Sequence, residues 1–355
     1  MHPAAKPDPT VVRLSTPEDI LGALPHRLGF HPRESLVVVC LEGPRRRDRL
    51  VMRADLPHPR HDHELVDDLV ARAEHAGATA ALVVCYTDAP CGDGLARSDL
   101  VESLCERFVA HDVPVVEALL VRDGRWWSYH CDDPSCCPRS GTELATELTP
   151  AAGLFAAEAV ARGDAVLADR EALVASVEPS SHPVAAAVRA QARELAEDRA
   201  ATAVEVGGEG ALRSLTVGCA RTLAQAWAAG HCTVDPADAA LLALGMRDKL
   251  ARDQVMTLVL DHQPEVLVGL FTAVAQLVDD PEAAPVCTVL AWAAYADGGG
   301  ALAAAAAERA LRAEPGYAMA ELVLEGLAGM VPPSAIREVA ADVRAGLERR
   351  TDGRS

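Results

Sequence analysis

The chain has 355 residues, half of them apolar, and a formal charge of −19. That length suits two domains of ordinary size. The excess of acid excludes a general nucleic-acid binder and an anionic membrane surface as partners, because both are gripped by Lys and Arg.

No run of eighteen apolar residues is free of charges and turn formers, so no membrane span is expected. The start, Met1 to Thr10, has no apolar core of the kind a secretory signal needs, and the cytoplasm is the expected compartment. Lysine stands only at Lys6 and Lys249, asparagine is missing, and isoleucine stands only at Ile20 and Ile336. No physical demand explains this, since Lys and Asn suit surfaces, and a GC-rich codon bias does. The abundance of Arg is therefore not by itself a sign of phosphate recognition.

Residues 1–10 are Pro-rich and polar and read as a disordered tail. Val11–Leu14 reads as a short strand. Thr16-Pro17-Glu18-Asp19 is a helix start, with a capping hydroxyl, Pro in the first turn and acids where the helix dipole favours them. Pro25 is expected to interrupt that helix. The β-branched run Ser35–Leu41 predicts a buried strand, and residues 43–48 predict a turn into a second strand, Arg49–Leu56. A helix over 62–76, a buried strand over Thr79–Tyr86 and a helix over 95–110 follow. Val113–Val121 and Arg125–His130 flank Asp123-Gly124, a short hairpin turn.

Alternating strands and helices with hairpins predict an α/β domain with a mixed sheet over 11–150. From 151 to 345 Ala, Leu, Glu and Arg dominate, no strand is expected, and helical spacing recurs at 151–162, 183–203, 210–229, 236–262, 264–279, 284–297, 300–313 and 317–329. This half reads as all-helical, with a tail over 346–355. Within 287–327, Trp292, Tyr295, Gly298, Ala303, Ala310, Pro315 and Tyr317 give a tetratricopeptide-like helix pair. An Ala-rich hairpin of the core explains the same residues, and both readings stay open.

Candidate chemistry is concentrated in the first half. Loop 24–35 holds His26, Arg27, Phe30, His31, Arg33 and Ser35 just before a buried strand. Histidine titrates near neutrality and Arg grips carboxylates, so the loop is a candidate seat for a small anionic ligand. The plain alternative is a tight connection shaped by Gly29 and Pro32. Tyr86, Thr87 and Asp88 end a buried strand, where ligands lie in α/β sheets. Asp88 is a candidate base or ligand contact, or only a turn residue. Neither phosphate-loop glycine pattern occurs, nor a nucleophile elbow or a paired-histidine zinc motif. His61 and His63 are a further possible chelating pair, though loop histidines usually stay solvated.

The segment Gly124–Glu143 is the most unusual, with Trp126, Trp127, Tyr129, Cys131, Cys136 and Cys137 within twenty residues. Cys131, Cys136 and Cys137, with His130 or Asp132, are candidate zinc ligands. The same thiols are a candidate redox pair, or a structural loop folded beneath Trp126 and Trp127. The spacing lacks the usual two-residue gap between metal-binding cysteines. The loop 24–35, Asp88 and the 130–137 segment are expected to meet in a polar hollow where the two halves abut.

Leu24–Val39, Arg125–Pro138 and the stretch from Ala291-Trp292 to Pro315-Gly316-Tyr317 together resemble an actinobacterial family known as domain of unknown function 4192. The resemblance spans about 11–330 and implies a cytoplasmic protein, with no activity, substrate or catalytic residue attached. His130 stands where that family's pattern leads one to expect an apolar residue.

Two functions remain open. One is a binding module, with a ligand or partner on the α/β half, Trp127 included among its contacts, and a protein-docking surface on the helices. The other is a hydrolase or transferase for a small polar substrate, using His26, His31 and Asp88 as acid and base. The second requires Asp88 and a histidine at one common pocket.

Overall fold

A computed structural model of the chain describes residues 12–90, 94–162, 165–180, 185–187, 190–191, 204–205, 207–280 and 282–352. The expected N-terminal tail and most of the helix expected over 183–203 lie outside the described residues, as does Cys91. The chain divides into two compact units, Met1–Asp169 and Arg170–Ser355. Among the described residues no helix is long and apolar enough to cross a membrane.

The first unit is built on one mixed sheet of six strands. They are β1 (Ser35–Glu42), β2 (Arg47–Asp55), β3 (Ala80–Tyr86), β4 (Val115–Arg122), β5 (Arg125–Ser128) and β6 (Thr142–Glu143), in spatial order β2-β1-β3-β4-β5-β6. Only β3 and β4 run parallel, joined by the crossover helix α3 (Ser98–Ala110). The other neighbours are antiparallel.

Alternation along the central strands feeds two cores. Leu36, Val38, Cys40, Val83, Cys85 and Leu120 face α2 (Asp62–His75) and α3, meeting Leu69, Leu104 and Phe108. Val37, Val39, Val84, Tyr86, Leu119 and Trp126 face α1 (Pro17–Leu28), meeting Leu21 and Leu24. Both faces are covered, which is why β1 and β3 read as continuous apolar runs. A fourth helix, α4 (Pro150–Arg162), packs on α1 within this unit. Gly22 makes that approach possible, since a Cβ there would stand 2.9 Å from the Cβ of Ala152.

The start of α1 is as expected. The Thr16 hydroxyl accepts from the Asp19 N–H at 3.2 Å, and the Asp19 carboxylate accepts from the N–H groups of Ser15 and Thr16 at 2.8 and 3.1 Å. Two expectations fail nearby. Residues 12–14 form no strand, because none of the six strands pairs with them. Pro25 does not end α1. The helix forgoes one N–H and runs to Leu28, because Leu21, Ala23, Leu24 and Pro25 itself are buried, and Gly29 closes it with φ of 81°.

The second unit is helical, with no strand among its described residues. Its helices are α5 (Arg170–Ser176), α6 (Glu209–Ala228), α7 (Pro236–Gly245), α8 (Lys249–Met256), α9 (Pro264–Ala275), α10 (Ala283–Asp297), α11 (Gly300–Ala313), α12 (Ala318–Ala328) and α13 (Pro333–Asp352). The last runs into the region expected as a tail. The single helix expected over 236–262 is divided, because Asp248 caps a new start by accepting from the Leu250 N–H at 2.9 Å. Helix α10 is buried continuously from Ala283 to Tyr295 and packs against α9 and α11. Its hairpin with α11 turns at Gly298, whose φ is 84°.

Arg309 on α11 is 1% exposed. Its guanidinium donates to the carbonyls of Ala275 and Val278 at 2.7 Å each, and to that of Val177. These carbonyls close the ends of α5 and α9, so one buried cation satisfies two helix C-termini.

Candidate functional site

The carboxyl ends of the parallel pair β3 and β4 open into a cleft of about 330 Å³. Pro32, Arg33 and Glu34 line it from before β1, Tyr86, Thr87 and Asp88 from the end of β3, and Val121–Gly124 from the β4–β5 turn. Strand register explains the meeting: Ser35 pairs with Tyr86, Tyr86 with Val121, and Val121 with Trp126. Residues fifty positions apart thus share one end of the sheet.

Glu34 ties the cleft together. Its carboxylate accepts from the Thr87 hydroxyl at 2.9 Å and the Asp88 N–H at 2.6 Å, and its carbonyl accepts from the Leu56 N–H at 3.0 Å. Glu34 has a φ of 39°, in the left-handed region that disfavours side chains. Thr87 is buried, and its hydroxyl also accepts from the Ala89 N–H. The exposed Asp88 side chain and the exposed Arg33 guanidinium have no protein partner among the described residues. Arg122 and Asp123 on the opposite wall pair with each other at 3.1 Å.

Beneath α1, in the cross-strand row that includes Tyr86 and Val121 of the cleft wall, the buried Ser35 Oγ, Tyr86 hydroxyl and Trp126 Nε1 have no hydrogen-bond partner among the described residues. Burial pushes the Tyr86 phenol well above its ordinary range.

The histidines of loop 24–35 are not on the cleft wall. His26 lies in the last turn of α1, with its Nδ1 buried and without a hydrogen-bond partner among the described residues. Burial, and then the charge of His31, hold its pKa below the ordinary value. The His31 N–H donates to the Leu167 carbonyl, and Phe30 is buried where it bridges Leu167. Arg27 pairs with Asp48 at 3.2 Å on the surface. The structure therefore brings Arg33, Glu34, Thr87 and Asp88 together in the cleft, and neither histidine is among its lining residues.

The Cys-rich segment is a separate place. Ser128 of β5 pairs with Leu119, so the chain leaves β5 toward the amino end of β4, away from the cleft turn. It returns to pair Arg125 with Glu143. The intervening loop is pinned by Trp127 Nε1 donating to the Arg139 carbonyl at 3.1 Å and by Arg125 donating to the carbonyls of Ser140 and Gly141. Trp127 thus supports this loop rather than the cleft. Its three cysteines are free thiols. Their sulfur atoms all lie within 4.8 Å of one another, and Cys131 and Cys136 are 3.1 Å apart. Hydrogen bonds from Cys136 and Cys137 lower the pKa of Cys131, while burial and those bonds push Cys137 up to about 12. His130 and Asp132 are not part of this sulfur group, and His61 pairs with Glu64 at 3.3 Å.

Sequence reasoning pointed to Arg33 through the anion-binding reading of loop 24–35, but missed Glu34, Arg122 and Asp123 as cleft residues. Asp123-Gly124 was legible as a turn, but its place beside Asp88 follows from the parallel β3–β4 pairing, which no local pattern announces.

No curated protein and no solved structure matches the chain. The family described as Domain of unknown function (DUF4192) matches residues 17–334, which take in the α/β unit and all but the last helix of the helical unit. The chain belongs to that family.

Proposed function

We propose that the α/β unit is a binding module whose seat is the cleft at the carboxyl ends of β3 and β4, and that its ligand is a small zwitterion of amino-acid size. The observation that carries this reading is the pairing, on one cleft wall, of an unengaged carboxylate at Asp88 with an unengaged guanidinium at Arg33. Asp88 would take an ammonium group and Arg33 a carboxylate, for which its planar fork is suited. A cleft of about 330 Å³ suits a molecule of that size. The clamp by Glu34 favours the reading too, because a strained residue holding a loop in place is a common cost of a pre-formed site. The buried hydroxyls of Ser35 and Tyr86, without partners among the described residues, are polar groups of the kind that a ligand or water takes up. The alternative of an enzyme using His26 or His31 with Asp88 has less support, because neither histidine is among the residues that line the cleft.

Thermal-shift and calorimetric titration with a panel of L-amino acids, against matched monoamines and monocarboxylates, tests it. Stabilisation by a zwitterion, lost in both Arg33→Gln and Asp88→Asn, is expected. At a hundred times Kd the stabilisation should reach about 2.7 kcal/mol. No shift with any member of the panel, or a shift that both variants retain, overturns the reading.

A further inference from the structure

We propose that Cys131, Cys136 and Cys137 form a three-thiolate site for a soft d10 metal ion, Zn²⁺ or Cu⁺. The site lies on the β5–β6 loop and is independent of the cleft.

The first argument is convergence. Three thiols from seven consecutive residues bring their sulfur atoms to within 4.8 Å of one another. A dithiol switch needs two sulfurs, and nothing in that chemistry asks a third to join them. A metal ion does. With metal–sulfur bonds of about 2.3 Å, tetrahedral or trigonal geometry places the sulfurs about 3.8–4.0 Å apart. The three sulfurs already lie within 4.8 Å of one another, with Cys131 and Cys136 at 3.1 Å.

The second argument is that the loop is shaped without the ion. Gly141, with φ of 76°, lies flat on the Trp127 indole, where a Cβ would come within 2.4 Å of the ring. Trp127 and Arg125 hold the loop's far side by its carbonyls. On the near side, the Asp133 carbonyl accepts from the N–H groups of Cys136 and Cys137 at 3.2 and 2.7 Å, fixing the backbone from which both sulfurs meet that of Cys131. The Asp133 carboxylate is held by the N–H and hydroxyl of Ser135 at 2.9 and 2.8 Å. Donors arranged in advance lose less freedom on binding.

The third argument is charge and softness. Asp132 and Asp133 flank the thiols in a chain of net charge −19. Extra thiolates there need a compensating cation, and a metal ion supplies it, each entering thiol exchanging its proton for a metal–sulfur bond. Thiolate sulfur selects soft ions over Mg²⁺ and Ca²⁺. No His, Asp or Glu of the described residues joins the three sulfurs. Cu⁺ would therefore sit trigonally, and Zn²⁺ would complete its tetrahedron with water.

The test uses the full-length protein, reduced and freed of metal under anaerobic conditions. It is titrated with Zn²⁺ in one arm and with Cu⁺, kept reduced by ascorbate, in the other, each against a chromophoric chelator. One equivalent per chain is expected in at least one arm, with tenfold or greater loss of affinity in each of Cys131→Ser, Cys136→Ser and Cys137→Ser. Co²⁺ should give a sulfur-to-metal charge-transfer band in the wild type alone. Should a variant fail to fold, alkylation of the wild type read by peptide mass spectrometry still decides, since bound metal must protect these three thiols together. Equal uptake by the triple serine variant overturns the proposal. So does unprotected alkylation of the three thiols at saturating metal, or a Cys131–Cys136 disulfide that persists in reductant.

Discussion

The carboxylate of Glu34 accepts the hydroxyl of Thr87 at 2.9 Å, joining the residue before β1 to the residue after β3. The same carboxylate takes the Asp88 N–H at 2.6 Å, so the backbone beneath the candidate ligand contact is fixed by a residue that itself stands at a φ of 39°. The position combines a gain from two hydrogen bonds with a loss from left-handed backbone.

These two effects separate by mutation. Glu34→Ala loses both bonds and keeps the strain, and is expected to destabilise the protein by about 1–3 kcal/mol. Glu34→Gly loses the same bonds but relieves a backbone cost of about 1 kcal/mol. The urea midpoint of the glycine variant should therefore lie above that of the alanine variant. Equal midpoints would show that the left-handed geometry carries no cost here.

Much of this unit was legible because its signals are local. Val37, Val38 and Val39 announce a buried strand by branching alone, and Thr16 with Asp19 announces a helix start by spacing. Pro25 misled because its cost is local too, one missing N–H, while the burial of Leu21 and Leu24 on the sheet that outweighs it is tertiary. The site divides along the same line. Tyr86, Thr87 and Asp88 could be picked out as the end of a strand. Glu34 could not, because its role exists only once Ser35 is paired with Tyr86. His26 and His31 looked reactive by residue type, but α1 carries the first away from the cleft and the Phe30–Leu167 bridge ties down the second.

Arg309 gives a prediction for the helical unit. Replacing it by Met leaves the carbonyls of Val177, Ala275 and Val278 buried without their donor. A loss of about 3–5 kcal/mol is expected, in line with removing one partner of a buried charged contact. At about 2–4 °C per kcal/mol, the thermal midpoint should fall by roughly 10 °C. Glu178 stands 3.8 Å from the Arg309 Nε and also pairs with Arg312, which is half-exposed, so Arg312→Ala should cost under about 1 kcal/mol. Similar losses in the two variants would refute the capping role.

Asp19 sets an acid limit on the first unit. N–H groups of Ser15 and Thr16 and the hydroxyl of Thr149, at 2.7 Å, all point at its carboxylate, and they hold its pKa below the ordinary value. A carboxylate with a depressed folded pKa stabilises the protein above the unfolded value of about 3.9. That contribution is lost as pH falls through the folded pKa, because the unfolded chain takes up the proton first. Asp19→Asn should therefore be less stable than the wild type at pH 7 by about 1–2 kcal/mol. The gap should narrow below about pH 4. A gap that is unchanged at about pH 3 would assign the loss to packing rather than to ionisation.

Gly141 tests whether the thiol loop is held by its contact with Trp127. An alanine there meets two obstacles, a φ of 76° and an indole carbon 2.4 Å from the new Cβ. The backbone term is about 1 kcal/mol, and the overlap adds about 1–3 kcal/mol because the ring must move. Gly124 serves as the control: its φ is 70°, but nothing lies within 4 Å of an added Cβ. Gly124→Ala should lose only the backbone term, and Gly141→Ala both. The displaced ring would also give up its bond to the Arg139 carbonyl and release the loop. Alkylation should then quicken at Cys131, Cys136 and Cys137, while Cys40 and Cys85, buried in β1 and β3, stay protected. If the two alanine variants lose the same stability and their thiols react at the wild-type rate, the indole is a neighbour of the loop and not its support.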